Sequence, residues 1–208
     1  MQAPVEHPEL HARFIEAWGE PLTERRVTSP DSSQTFFALW FPGRPAVSRF
    51  VTCGLARCRA EDRSPLGLEL LMVVGHPEVE DLGPARIEDY LFDLAAHLLR
   101  YSARPTAGSV MPDSTLAPWE MPAIIFDDAR GEPEDLERYH ADGTDARLLW
   151  AIPAFADEAQ LVRDDGIDAF ATADALHVSS STLDADLTRV RALLSGDTLQ
   201  LERVGPRV

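Results

Sequence analysis

The chain contains no lysine and no asparagine; all 19 of its basic residues are arginine. The missing lysine excludes Schiff-base chemistry, the lysine of a phosphate-binding P-loop and any Ser-x-x-Lys catalytic pair. The missing asparagine excludes N-glycosylation and any catalytic asparagine. Codons for both residues are AT-rich, so the joint absence reads as the mark of a GC-rich genome. Cysteine is nearly absent too. Cys53 and Cys58 are the only two, too few for a disulfide framework. Their spacing is half of a zinc site, but no second Cys pair and no suitably spaced His pair completes it. They read as ordinary apolar strand residues. No stretch approaches the ~20 apolar residues of a membrane span. The opening MQAPVEHPEL is not a secretory leader. The expected location is a reducing cytoplasm. Neither GxSxG nor GxGxxG occurs, and no internal repeat or low-complexity tract is found.

Acid is abundant. The net charge is −16 over 208 residues. Residues 1–104 hold 15 acids and 11 arginines; residues 105–208 hold 20 and 8. The acidity is therefore concentrated in the second half. A surface of this sign repels phosphate backbones, which argues against nucleic acid as a partner. It also steers basic proteins toward it. Apolar content of 45% and charged content of 26% are ordinary globular values and exclude wholesale disorder.

The hydrophobic pattern mixes two periods. Pro8 opens a short helix carrying Leu10, Phe14, Ala17 and Trp18, closed by Gly19. Residues 34–41 read as a strand ending at the Pro42-Gly43 turn. Residues 46–56 and 66–74 read as two further strands forming an antiparallel pair. The strongest helix is 86–101, where Ile87, Tyr90, Leu91, Leu94, Ala95, Leu98 and Leu99 share one face. Residues 121–126 and 147–155 read as buried strands, with a polar, acidic excursion at 127–145 between them. Asp157 and Glu158 suit a first helical turn. Ser181 predicts a capped helix through Leu194, and 198–204 an edge strand. The expected class is α/β or α+β, with a mixed central sheet flanked by helices. The expected organisation is one domain over 1–172 with a helix–strand extension, 173–208, packed on it.

Four groups of residues are chemically suggestive. Glu69 lies inside the apolar run GLELLMVV, so it is either paired with an arginine, active as a site acid, or turned outward by strand alternation. Asp93 and His97 are four apart on the best helix, the spacing of a base and its orienter; a hydrogen-bonded boundary histidine is the plainer reading. Asp127 and Asp128 end a strand, and Glu132, Glu134, Asp135 and Glu137 follow. This is not a calcium-loop pattern, so it reads as a solvated acidic loop or a docking surface for a basic partner. Trp119, in the Pro-flanked APWEMP, is the candidate exposed anchor, whereas Trp150 reads as core.

Several segments resemble the suppressor-of-fused domain family. VTCGLA is similar to its strand ending in a Thr-Ser/Cys-Gly turn, and SPLGLELLMVV to its Gly-x-Glu-Leu strand, with Gly67, Glu69 and Leu70 in matching places. LAAHLLRYSARPTAGSVM resembles its helix and following turn. LLWAIPAFADEAQLVRDDGIDAF resembles its late strand, two-acid helix start and the step at Gly166, Ile167 and Phe170. The likeness covers about residues 30–172. Gly108-Ser109-Val110 departs from the family's Gly-His. The chain is also too short for the second domain that animal members add. The resemblance implies a non-enzymatic protein-binding domain with no cofactor and no bound metal. In bacterial-type members it implies an immunity protein that neutralises a toxin, and many toxins are basic. Trp119, Asp127, Asp128, Glu132, Glu134 and Asp135 are the expected partner surface. A module that binds a peptide by strand addition, and a hydrolase or transferase built on Glu69, Asp93 or His97, are the rival readings.

Overall fold

Apolar runs of four to eight residues, broken by Gly, Pro and acidic turns, become the strands of a central sheet. The computed structural model describes residues 7–28, 34–43, 47–75, 79–80, 83–112 and 121–177. In chain order these form α1 (Pro8–Trp18), β1 (Thr23–Thr28), β2 (Thr35–Pro42) and β3 (Val47–Cys53), then a 3-10 turn at Leu55–Arg57. There follow β4 (Leu68–Gly75), α2 (Pro84–Arg100), β5 (Val110–Met111), β6 (Ala123–Asp128) and α3 (Glu134–Glu137). The run closes with β7 (Arg138–Ala141), β8 (Thr144–Ala154), α4 (Ala156–Asp165) and α5 (Ile167–His177). The helix and strand expected beyond Ser181 lie outside the described residues.

The strands make one sheet in the order β1-β2-β3-β4-β8-β6-β5, with β7 paired to β8. Every pairing is antiparallel except β4 with β8. A parallel pair needs a long crossover, and the chain between β4 and β8 supplies it with α2. The mixed central sheet flanked by helices is thus the observed fold, and β3 and β4 pair antiparallel as expected, Phe50 opposite Met72.

Both faces of the sheet are covered, which is why β4 reads as a continuous apolar run. Leu68, Leu70, Met72 and Val74 belong to the core shared with Ile87, Leu91, Leu94 and Leu98 of α2. Leu71 and Val73 belong to the opposite core, with Leu10 and Phe14 of α1, Ala159 and Val162 of α4, and Phe170 of α5. Each of these large side chains contributes about 1.5–3 kcal/mol by leaving water. Alternation along β4 therefore turns Glu69 inward with the second set, not out to solvent.

Two elements depart from the sequence expectation. Residues 23–28, TERRVT, form the edge strand β1. Arg25 ties it to Glu88 and Asp89 of α2, and the Thr23 hydroxyl donates to Glu88 at 2.6 Å. Within the 127–145 excursion, Arg138–Ala141 and Thr144–Arg147 form a hairpin. Asp142 and Gly143 turn it with φ of 50° and 75°, the pair of positive angles of a type I′ turn. The same Asp142 carboxylate accepts the Glu9 and Leu10 amides at 3.3 and 3.2 Å. It thereby caps α1, whose own N-cap residue supplies no side-chain bond.

Candidate functional site

The best-built polar cluster in the molecule surrounds Glu69. β3 ends at Cys53, and Gly54 turns the chain with φ of 96° into Leu55–Arg57. The turn aims three successive amides at one carboxylate. Gly54 and Ala56 each donate to Oε1 at 2.9 Å, and Leu55 donates to Oε2 at 3.1 Å. The Thr52 hydroxyl donates to Oε2 at 2.6 Å, while its oxygen accepts the Leu70 amide at 2.8 Å. Successive N–H groups at a left-handed residue form a concave anion nest. Here the anion comes from the protein itself. Glu69 is 0% exposed. Burial lifts its carboxyl to about 7, and the bonds from Ala56, Thr52, Gly54 and Leu55 oppose that lift.

This corrects the sequence reading of Glu69. Its partner is not an arginine, and the side chain does not point outward. The nest fills the acceptor directions of both oxygens and leaves no path for a substrate. It is a fold-closing device that joins VTCGLA to GLELL, two segments separated by the polar 59–65 loop. Gly54 is required twice over. Its φ is left-handed, and a Cβ there would lie 2.1 Å from Nε2 of the buried His7.

The acidic residues of 127–137 do not form one surface. Asp127 is buried at the end of β6. Its Oδ1 accepts the Asp128 amide at 2.8 Å. Arg130 Nε stands 3.0 Å from Oδ2, an ion-pair approach without hydrogen-bond alignment, and Arg130 also reaches Asp168 of α5 at 2.8 Å. Burial is the main cause that raises the Asp127 carboxyl to about 6, with Arg130 pulling it back. Glu132 is buried as well. Trp18 Nε1 and Arg49 Nε each donate to it at 2.7 Å, which locks α1 and β3 to this loop. Asp127 and Glu132, expected on an exposed surface, are instead buried. Asp128 is half-buried, and Glu134 and Asp135 of α3 are exposed. Trp119 lies outside the described residues. Trp150 is core, as expected.

The remaining candidates stay apart. Asp93 is exposed on α2, whereas half-buried His97 packs its ring against Tyr101 at 4.6 Å. Cys53 and Cys58 are buried free thiols, and burial pushes the Cys58 thiol up to about 12. Among the described residues, no group of three or more His, Cys, Asp or Glu side chains is placed to hold a metal ion. No helix among them is long and apolar enough to cross a membrane.

Comparison with known proteins gives the fold a family. A model of the suppressor of fused protein family matches residues 35–189. No curated protein matches the sequence. A chain of the Sufu–Fu complex crystal structure superposes with a TM-score of 0.65 at 12% identity, covering 98% of this chain and 100% of that one. A suppressor of fused homologue from Neisseria gonorrhoeae FA 1090 gives 0.57 at 12% identity, covering 79% and 85%. Drosophila Suppressor of Fused gives 0.67 at 14% identity, covering 94% of this chain and 53% of that longer one. At such identities the solved structures speak to fold alone.

Proposed function

The chain belongs to the suppressor of fused family, and from that premise we propose that it is a non-enzymatic protein-binding domain of the immunity type, which binds and neutralises a basic toxin domain or another partner protein in the cytoplasm. The observation that carries the non-enzymatic part is the state of Glu69. The carboxylate of Glu69, deep in the apolar strand β4, is filled by four donors of its own chain. With Asp93 exposed and His97 packed on Tyr101, Glu69, Asp93 and His97 are not brought together as the acid–base pair that the hydrolase or transferase reading requires.

The acidic balance supports a basic partner, since complementary charge raises association rates and penalises wrong partners. The surface that meets it draws on Glu134, Asp135 and Asp128, the members of the acidic stretch that reach solvent. Trp119 remains a proposed anchor.

Peptide binding by strand addition is the second reading, and one feature favours it. The sheet ends on β5, only two residues long. Val110 and Met111 are half-buried, and among the described residues β5 pairs only with β6. A strand edge can take an extended segment by backbone pairing, although an edge this short is also a device by which sheets discourage it.

Calorimetry against the protein encoded by the neighbouring gene, at low and high salt, tests the first reading. Tight binding that weakens with salt is the expected result. Absence of binding at both salts would remove that partner and move strand addition ahead.

A further inference from the structure

The β7–β8 hairpin carries a charge arrangement that the sheet does not explain. Its register sets Arg138 directly opposite Arg147, so both side chains leave the same face, where like charges across a strand pair repel. On the next rung of that face His140 stands opposite Asp145, joined Nδ1 to Oδ1 at 2.8 Å. With Gly67, Tyr139 and Ala146 these residues line an open groove of about 480 Å³. The one acid of the groove is thus already engaged by a histidine.

Arg147 is oriented without being neutralised. Its guanidinium donates to the Pro105 carbonyl, and its backbone amide donates to Gly67 at 3.3 Å. Arg138 is exposed. Among the described residues neither arginine has an ion pair, in a chain holding 35 acids for 19 arginines. Glu137 and Asp142, at the two ends of β7, are close in sequence, yet each is engaged elsewhere or unpaired with these guanidiniums; Asp142 caps α1.

We propose that this groove is a receptor for a carboxylate of a partner protein, held between the guanidiniums of Arg138 and Arg147. The inference rests on the protein-binding reading above and adds a second contact point, of opposite sign to the acidic surface. Paired guanidiniums match a carboxylate by parallel N–H···O bonds. A polyphosphate would bring repeated charge against a chain of net charge −16, whereas one carboxylate is a local charge that the groove can take alone.

The test is a nitrogen-15 NMR titration of the whole chain, including arginine Nε signals, with a capped Gly-Gly-Glu-Gly peptide and separately with inorganic phosphate. The expected result is peptide-dependent shifts at Gly67, Arg138 and Arg147, weakened at least fivefold in Arg138→Gln and suppressed by salt. Arg138→Glu provides its own counter-charge to Arg147. It is expected to lose peptide binding while its melting temperature stays at or above that of the parent. Unchanged peptide affinity in Arg138→Gln, absent groove shifts, or tighter binding of phosphate than of peptide would each overturn the proposal. The titration needs no partner, so its failure removes the groove alone, while calorimetry with the partner judges the protein-binding reading.

Discussion

Replacing Glu69 by glutamine changes one atom type at the centre of the nest, and the consequence can be worked from the four donors. Oε1 accepts Gly54 and Ala56; Oε2 accepts Thr52 and Leu55. A glutamine keeps one carbonyl oxygen for the first pair and presents NH₂ to the second. The Thr52 oxygen can turn acceptor toward that NH₂, but the Leu55 amide cannot, so one buried donor then faces another. An orphaned buried donor costs about 1–3 kcal/mol. The expected loss is about 3 kcal/mol, near 6–12 °C in melting temperature for a domain of this size. That is measurable within the ~5–15 kcal/mol of a typical domain. Urea unfolding followed by tryptophan fluorescence at pH 5 is the assay: burial lifts this carboxyl from 4.5 to about 7, so the stability the parent holds over the variant is present on the acid side and is lost as pH rises through the upper value. Glu69→Ala orphans all three amides and should leave little folded protein. A Glu69→Gln variant within about 0.5 kcal/mol of the parent, the range of a neutral surface change, would refute the nest as a structural requirement.

Gly54→Ala should cost about 2–4 kcal/mol, because the left-handed φ and the His7 ring both reject a Cβ; chemical denaturation reads it, and a neutral result would mean that His7 moves freely. Asp127→Asn tests burial at the end of β6. The folded carboxyl titrates at about 6 against an ordinary 3.8, so its contribution to stability is fully present below the lower value and is lost as pH rises through the upper one. Arg130 is 41% exposed, which screens the pair. The parent should accordingly lose about 2 kcal/mol between these values that the variant keeps, and parallel stability–pH curves would contradict it. Glu134→Arg with Asp135→Arg should slow association with a basic partner and flatten its salt dependence at unchanged stability; an unchanged association rate at low salt would move the interface elsewhere.

Legibility in the sequence followed how much of each decision was local. α2 was readable because seven apolar residues between Ile87 and Leu99 keep one helical face. β4 and β6 were readable because strands buried on both faces are continuously apolar. β1 was not, since TERRVT has no apolar face, and what holds it is its pairing with β2 and a set of bonds to α2 some 60 residues away. The β7–β8 hairpin was hidden by its acidic surroundings, although the Asp142-Gly143 dipeptide is the strongest short hairpin signal a sequence carries. Reading that dipeptide would have placed Tyr139 and Ala141 inward, Arg138 and His140 outward, and Arg138 opposite Arg147.

The acidic stretch shows the opposite limit. Composition groups Asp127, Asp128, Glu132, Glu134 and Asp135 as one surface, but burial is decided by distant residues. Glu132 is claimed by Arg49, 83 positions away, and by Trp18. Asp127 turns inward because β6 stays buried up to its last residue. Glu69 joins the two lessons. The sequence marks it as anomalous, because a carboxylate in an apolar strand demands a partner. It does not reveal that the partner is a turn 13 to 15 residues earlier. Once the turn is seen, the Thr-Cys-Gly and Gly-x-Glu-Leu segments become two halves of one hydrogen-bonded unit. A carboxylate so held is an internal brace, and the proposed recognition therefore draws on charges that reach solvent, Glu134 and Asp135 together with Arg138 and Arg147.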